Sequence, residues 1–179
     1  MPPPSSDEAQ AVAFVAWLST FALSRPVSSI SDLNDGYALY DVLETVDPEY
    51  FKKTSSSASP ALQVADNWPL RFTSLKRLFR LITQYFIEVL RHPASNVSAL
   101  EVPDLQKVAR EGDMKETLAL CRLCIAIAVM SGSNQQVISG IQGLEESHQQ
   151  RLMEAIASVM SKLEHSPAEN DADTTQMTE

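Results

Sequence analysis

Glycine is scarce in this chain of 179 residues, with five in all, and no Gly-rich nucleotide motif or Gly-x-Ser-x-Gly occurs. That excludes a fold built around a phosphate-cradling loop and a nucleophile-elbow hydrolase. Cysteine is scarcer: Cys121 and Cys124 are the two present, both inside an apolar helical run, so a secreted disulfide scaffold is excluded and a reducing, cytosolic compartment is expected. The Cys-x-x-Cys spacing sits mid-helix rather than at a helix N-terminus, where the dipole would lower a thiolate pKa, and reads as buried structural thiols. Three histidines, His92, His148 and His165, lack ligand spacing, so neither a zinc site nor any other cofactor is expected. β-Branched residues never alternate convincingly. Long apolar runs are missing as well. The stretch 11–23 follows no Lys or Arg, unlike a signal peptide, and 118–130 is too short for a membrane span and contains Arg122. No direct membrane insertion is expected.

What remains is an all-helical pattern of one domain with tails, in a chain with 44% hydrophobic residues. The net charge of −9 divides unevenly. Residues 164–179 hold five acids and no Lys or Arg, leaving 18 acids and 14 bases before them, a difference of −4. General nucleic-acid binding needs a concentration of bases to neutralise phosphates and is not expected. Residues 1–6 read as a flexible lead, 7–164 as the domain, and 165–179 as a disordered linker with Pro167 and several acids.

Ser5-Ser6-Asp7-Glu8 is a capping box and predicts a helix whose Phe14, Trp17, Leu18 and Phe21 form one buried face. Ser31 is the expected cap of a second helix with Leu33, Leu39, Val42, Leu43 and Val46 inward, closed by Asp47-Pro48. A polar loop is expected over 54–59, with structure resuming near Ala61. Pro69 suits the first position of a long helix whose apolar face runs through Leu75, Leu78, Phe79, Ile82, Phe86, Val89 and Leu90. Lys76, Arg77, Arg80 and Arg91 lie on another face: a solvated helix surface or an electrostatic contact with acidic tubulin tails. Residues 96–100 read as a loop, and Pro103 as the start of a short helix ended by Gly112. Asp113-x-x-Glu116 then caps a helix apolar on nearly every side over 118–130, the expected core.

The C-terminal part, 133–164, carries more apolar surface than one core contact needs. Ser133-x-x-Gln136 is the expected cap, Val137, Ile138, Ile141 and Leu144 face inward, and Gly140 and Gly143 predict a break before Glu145. Beyond it, His148, Leu152, Ala155, Val159 and Leu163 share one face, flanked by a strip of Gln149, Met153, Ile156 and Met160. Together they span about 160°, against roughly 100° for ordinary docking. The strip either receives an amphipathic helix of a partner or is additional buried surface, and periodicity does not choose between them. No catalytic residues are singled out. An enzyme would need a site assembled from dispersed groups, and nothing selects a reaction.

Asp32-Leu33-Asn34-Asp35-Gly36 and the Leu39 and Leu43 that follow resemble the corresponding segment of calponin-homology domains. With Phe14-Val15-Ala16-Trp17-Leu18, Val46-Asp47-Pro48-Glu49-Tyr50-Phe51, Asp66-Asn67-Trp68 and Glu145-Glu146-Ser147-x-Gln149-x-x-x-Met153-x-Ala155-Ile156, the chain resembles the N-terminal domain of the Hook family of cytoplasmic dynein adaptors over about residues 10–163. The resemblance implies a calponin-homology-like helical fold with an additional C-terminal helix. It implies a groove that receives the amphipathic C-terminal helix of the dynein light intermediate chain. Gln149 and Ile156 match the principal binding positions, with Ile138, Ile141, Leu144, Leu152 and Met153 as walls or floor. It further implies microtubule-based transport of cargo such as endosomes, a cytoplasmic location on microtubules, and dimerisation through a following coiled coil. His148 and Arg151 depart from the apolar residues of the family. On this reading Gln149→Ala and Ile156→Ala weaken helix capture with little change in thermal stability. The alternative is a filament-binding module that uses Lys76, Arg77 and Arg80.

Overall fold

The computed structural model describes residues 5–23, 26–55, 67–132 and 134–164. Among these residues the secondary structure is entirely helical. Helix α1 (Ser6–Leu18) opens on the expected box: the Ser5 hydroxyl accepts from the Glu8 N–H and the Glu8 carboxylate from the Ser5 N–H. Its face of Phe14, Trp17 and Leu18 is fully buried, with Phe14, Trp17 and Phe21 meeting edge to face.

The second helix begins later than its apolar pattern suggests. Residues Ile30–Leu33 form a 3₁₀ turn preceded by Ser29 rather than capped by Ser31, and Asp32 accepts from the Ser28 and Ser29 amides at 3.0 and 3.1 Å. Asp35 then accepts from the Tyr37 N–H at 3.0 Å, and Gly36 turns the chain at φ 78° into α2 (Tyr37–Val46). A Cβ on Gly36 would stand 3.1 Å from side-chain atoms of both Leu75 and Leu78.

Asp47-Pro48 ends α2 but starts a helix that the sequence pattern did not suggest, α3 (Pro48–Ser55), with Asp47 accepting from the Tyr50 N–H. Two residues of the expected 54–59 loop are thus helical, and the rest of it, with Ala61, lies outside the described residues. An aromatic cluster holds α3 against α4 (Trp68–Glu88): Phe51 stacks on Tyr85 at 5.3 Å, Tyr85 donates to Asp47 and Tyr50 to Glu88. Burial and the Glu88 carboxylate push the Tyr50 phenol up to about 12. On α4, Leu75, Leu78, Ile82 and Phe86 are buried as expected and are joined by Leu81 and Tyr85, whereas Val89 is exposed.

A short helix, α5 (Ala94–Val97), replaces the beginning of the expected 96–100 loop, because buried Asn96 has a partner far along the chain. Its side-chain amide donates to the Leu163 carbonyl at 2.6 Å. Helix α6 (Leu105–Glu111) is capped by Asp104 and stopped by Gly112 at φ 62°. Asp113 caps α7 (Met114–Met130) as expected, but Glu116 does not complete a box; its carboxylate accepts instead from the Asp104 N–H at 2.9 Å and ties the two helix starts together.

Helix α7 is the core. It is covered by α1, α2, α4, α6 and α9 (Glu146–Glu164), which is why nearly every residue over 117–128 is buried. Its charged interruption is anchored: Arg122 donates to Gln10 at 2.8 Å and to Glu101 at 3.4 Å. Cys121 and Cys124 are fully buried, and desolvation pushes the Cys121 thiol up to about 12 and that of Cys124 well above its usual value. Both are packing residues rather than nucleophiles. No single helix among the described residues is long and apolar enough to cross a membrane.

Candidate partner-binding surface

Helix α8 (Gln135–Gln142) and α9 are separate, with the break at Gly143 and Leu144 where the glycines suggested it. Asn134 precedes α8, and its amide donates to the Val129 carbonyl; Ser133, the expected cap, lies outside the described residues. A helix C-terminus leaves carbonyls without intrahelical donors. Gln149 supplies one, its Nε2 donating to the Gln142 and Leu144 carbonyls at 3.1 and 2.7 Å. Gln149 therefore fixes the corner between the two helices. Gly140 lets α8 come close to the end of α1, where a Cβ would stand 3.2 Å from the Thr20 hydroxyl.

Leu152, Ala155, Val159 and Leu163 face the core as expected. The flanking strip differs from the reading that it is surplus. Ile156 is only 4% exposed and Met160 is half-buried against the core, while Met153, at 57%, is the strip's exposed apolar residue. The physical reason is the number of neighbours: α9 packs against α1, α5, α7 and α8 at once, so it needs a wider apolar arc than a helix docked on one surface. Ile141 is buried, and Ile138 and Leu144 are half-buried. Of the predicted binding residues, Leu152, Ile156 and Ile141 are thus buried, Gln149, Met160, Ile138 and Leu144 are half-buried, and Met153 is exposed.

An open groove lies on the opposite flank of α9. It has a volume of about 840 Å³ and is walled by Val12 and Ala9 of α1, Ile30, Met114, and His148 and Arg151. Val12 is 57% and Met114 36% exposed. Sequence periodicity missed this groove because its walls come from distant segments. Its sequence trace was the polar substitution at His148 and Arg151.

Lys76, Arg77 and Arg80 are all exposed along α4. Among the described residues no group of three or more His, Cys, Asp or Glu is arranged to hold a metal ion.

The described residues form an all-helical domain of calponin-homology-like arrangement with exposed apolar and basic side chains. Residues 9–158 match the family model described as HOOK domain, and the chain belongs to the Hook family. It is 32% identical over 148 residues to a protein Hook homolog of Branchiostoma floridae, covering 83% of this chain and 20% of that protein. It is 30% identical over 158 residues to protein Hook homolog 3 of Homo sapiens, covering 88% and 21%. The solution structure of the conserved domain of HOOK1 protein from mouse superimposes with a TM-score of 0.76 at 29% identity, covering 90% of this chain and 96% of that one. The chain spans about a fifth of the length of the relatives it matches. The matched family and the relatives named here carry the Hook name and no name of a reaction.

Proposed function

We propose that this domain is a dynein adaptor module that captures the amphipathic C-terminal helix of the dynein light intermediate chain at the α8–α9 corner. Through a coiled coil beyond residue 179 it would connect cargo, endosomes among them, to the motor for transport along microtubules in the cytoplasm. The observation that carries this reading is the corner itself: exposed Met153 lies on the same helical strip as buried Ile156, and Gln149 organises the chain between α8 and α9. Because Ile156 is covered, a partner helix reaches it only when the packing around α9 opens, and on this reading α8 is the wall that moves aside. Helix α8 is the element suited to such a motion, being eight residues long and held mainly by α7, α9 and the Thr20 contact at Gly140. Met153 then serves as the first contact, and Ile156, Leu152 and Met160 as the apolar bed, with Ile138, Ile141 and Leu144 carried on the moving wall.

Met153→Glu should weaken binding of a light-intermediate-chain helix peptide at least about tenfold, by removal of one apolar anchor worth roughly 1.5–3 kcal/mol, without lowering Tm. Gln149→Ala should also weaken it, by loosening the corner. Val12→Glu, in the groove on the other flank, should leave binding unchanged. Capture that survives Met153→Glu but is lost in Val12→Glu would move the helix to the open groove and overturn the assignment.

A second reading is favoured by the exposure of Lys76, Arg77 and Arg80 on one helix: contact with the acidic surface of microtubules. Low-salt co-sedimentation that disappears when all three are neutralised is the expected result; no pelleting of the unaltered chain would remove it.

A further inference from the structure

We propose that the edge of α4 that meets α6 is a binding site for an acidic peptide segment carrying one large apolar side chain. Four side chains from the two helices form a continuous ladder of cations and rings. The Arg110 guanidinium lies over the Trp68 ring at 5.0 Å, Trp68 stands 6.4 Å from Phe72, and the Lys76 ammonium lies over Phe72 at 4.5 Å. The ladder is held in place from beneath, where the Arg71 Nε donates to the Ala109 carbonyl at 2.9 Å and couples α4 to α6.

Local charge sets the partner. Helices α4 and α6 carry six bases (Arg71, Lys76, Arg77, Arg80, Lys107, Arg110) against two acids (Glu88, Glu111), in a chain whose net charge is −9. A ligand approaching this edge therefore meets a positive field although the molecule as a whole repels anions. Cations resting on aromatic faces have already given up much of their rotamer freedom, so carboxylates that bind them cost less ordering than they would at free lysines. The Trp68 indole, 36% exposed, adds an apolar platform between the two cations. A polyanion without side chains would leave that platform unused, whereas an acidic segment with one phenylalanine or leucine covers it. The site shares Lys76 with the filament reading but does not rest on it, since its other members lie toward α6.

The test is titration of the full chain with a glutamate-rich peptide bearing a single phenylalanine, followed by Trp68 emission; Trp17 is fully buried and serves as a constant background. Saturable change in emission is expected. Arg110→Glu and Lys76→Glu should each weaken binding about fivefold, and a peptide lacking the phenylalanine should bind about tenfold more weakly, with unchanged melting of each variant. No saturable change overturns the proposal. So does sensitivity confined to Arg77→Glu and Arg80→Glu, which would leave the filament reading standing alone. Tighter binding of a single-stranded oligonucleotide than of the peptide also overturns it. A shift of Trp68 emission when Glu169, Asp171 and Asp173 are changed to Gln without any peptide would assign the site to the chain's own acidic segment instead.

Discussion

Ile156→Ala is expected to lower the stability of the domain by about 2–4 kcal/mol, in addition to weakening helix capture. In a domain of this size each kcal/mol moves Tm by about 2–4 °C, so a fall on the order of 10 °C is expected in a thermal melt. The sequence suggested the opposite, a binding residue whose loss leaves stability intact. Burial decides the matter: at 4% exposure Ile156 has already lost its water to intramolecular neighbours, and truncation leaves a cavity among them. The consequence for interpretation is direct. Loss of binding in Ile156→Ala mixes a damaged core with a missing contact, and in Gln149→Ala a loosened corner, whereas Met153→Glu reports on the surface itself. A melt of Ile156→Ala within about 2 °C of the unaltered chain would mean that the strip is open in solution.

Gly36→Val carries an effect of comparable size through backbone and packing together. At φ 78° any L-residue with a Cβ is disfavoured by about 1–2 kcal/mol, and β-branching makes it worse. The added carbon also meets Leu75 and Leu78 at 3.1 Å, on the buried face of α4, where overpacking costs about 1–3 kcal/mol. A total of about 2–5 kcal/mol is expected, read as a shift in the urea midpoint with little change in slope. Gly143→Ala is the comparison to make in the same experiment. Gly143 has φ −79°, and a Cβ there would meet neighbours no nearer than 3.6 Å, so its effect should be small.

Strong local grammar made much of the architecture legible. The Ser5–Glu8 box, the Asp113 cap and the all-round apolar α7 each have a cause confined to a few adjacent residues, and each is present in the structure. What escaped has its cause elsewhere in the chain. Helix α3 has too few apolar residues to declare itself and depends on Tyr85 and Glu88, nearly forty residues away, for its partners. Asn96 reads as a loop residue until the Leu163 carbonyl is beside it. The candidate site shows the same division. Periodicity correctly grouped Gln149, Met153, Ile156 and Met160 on one strip, but it measures the width of an apolar arc and not the number of helices that will cover it.

The bond from Asn96 to the Leu163 carbonyl bears on how the domain carries load. A pull on the residues that follow Glu164 enters the fold through α9, whose last turn is pinned to α5 and whose length lies along α1 and α7. Fraying from that end requires the Asn96 hydrogen bond to open first, so the last turn of α9 is held to the fold by a polar clamp as well as by packing. The element that presents the proposed docking corner is thereby also the tether, and Asn96→Ala should let its last turn fray more readily.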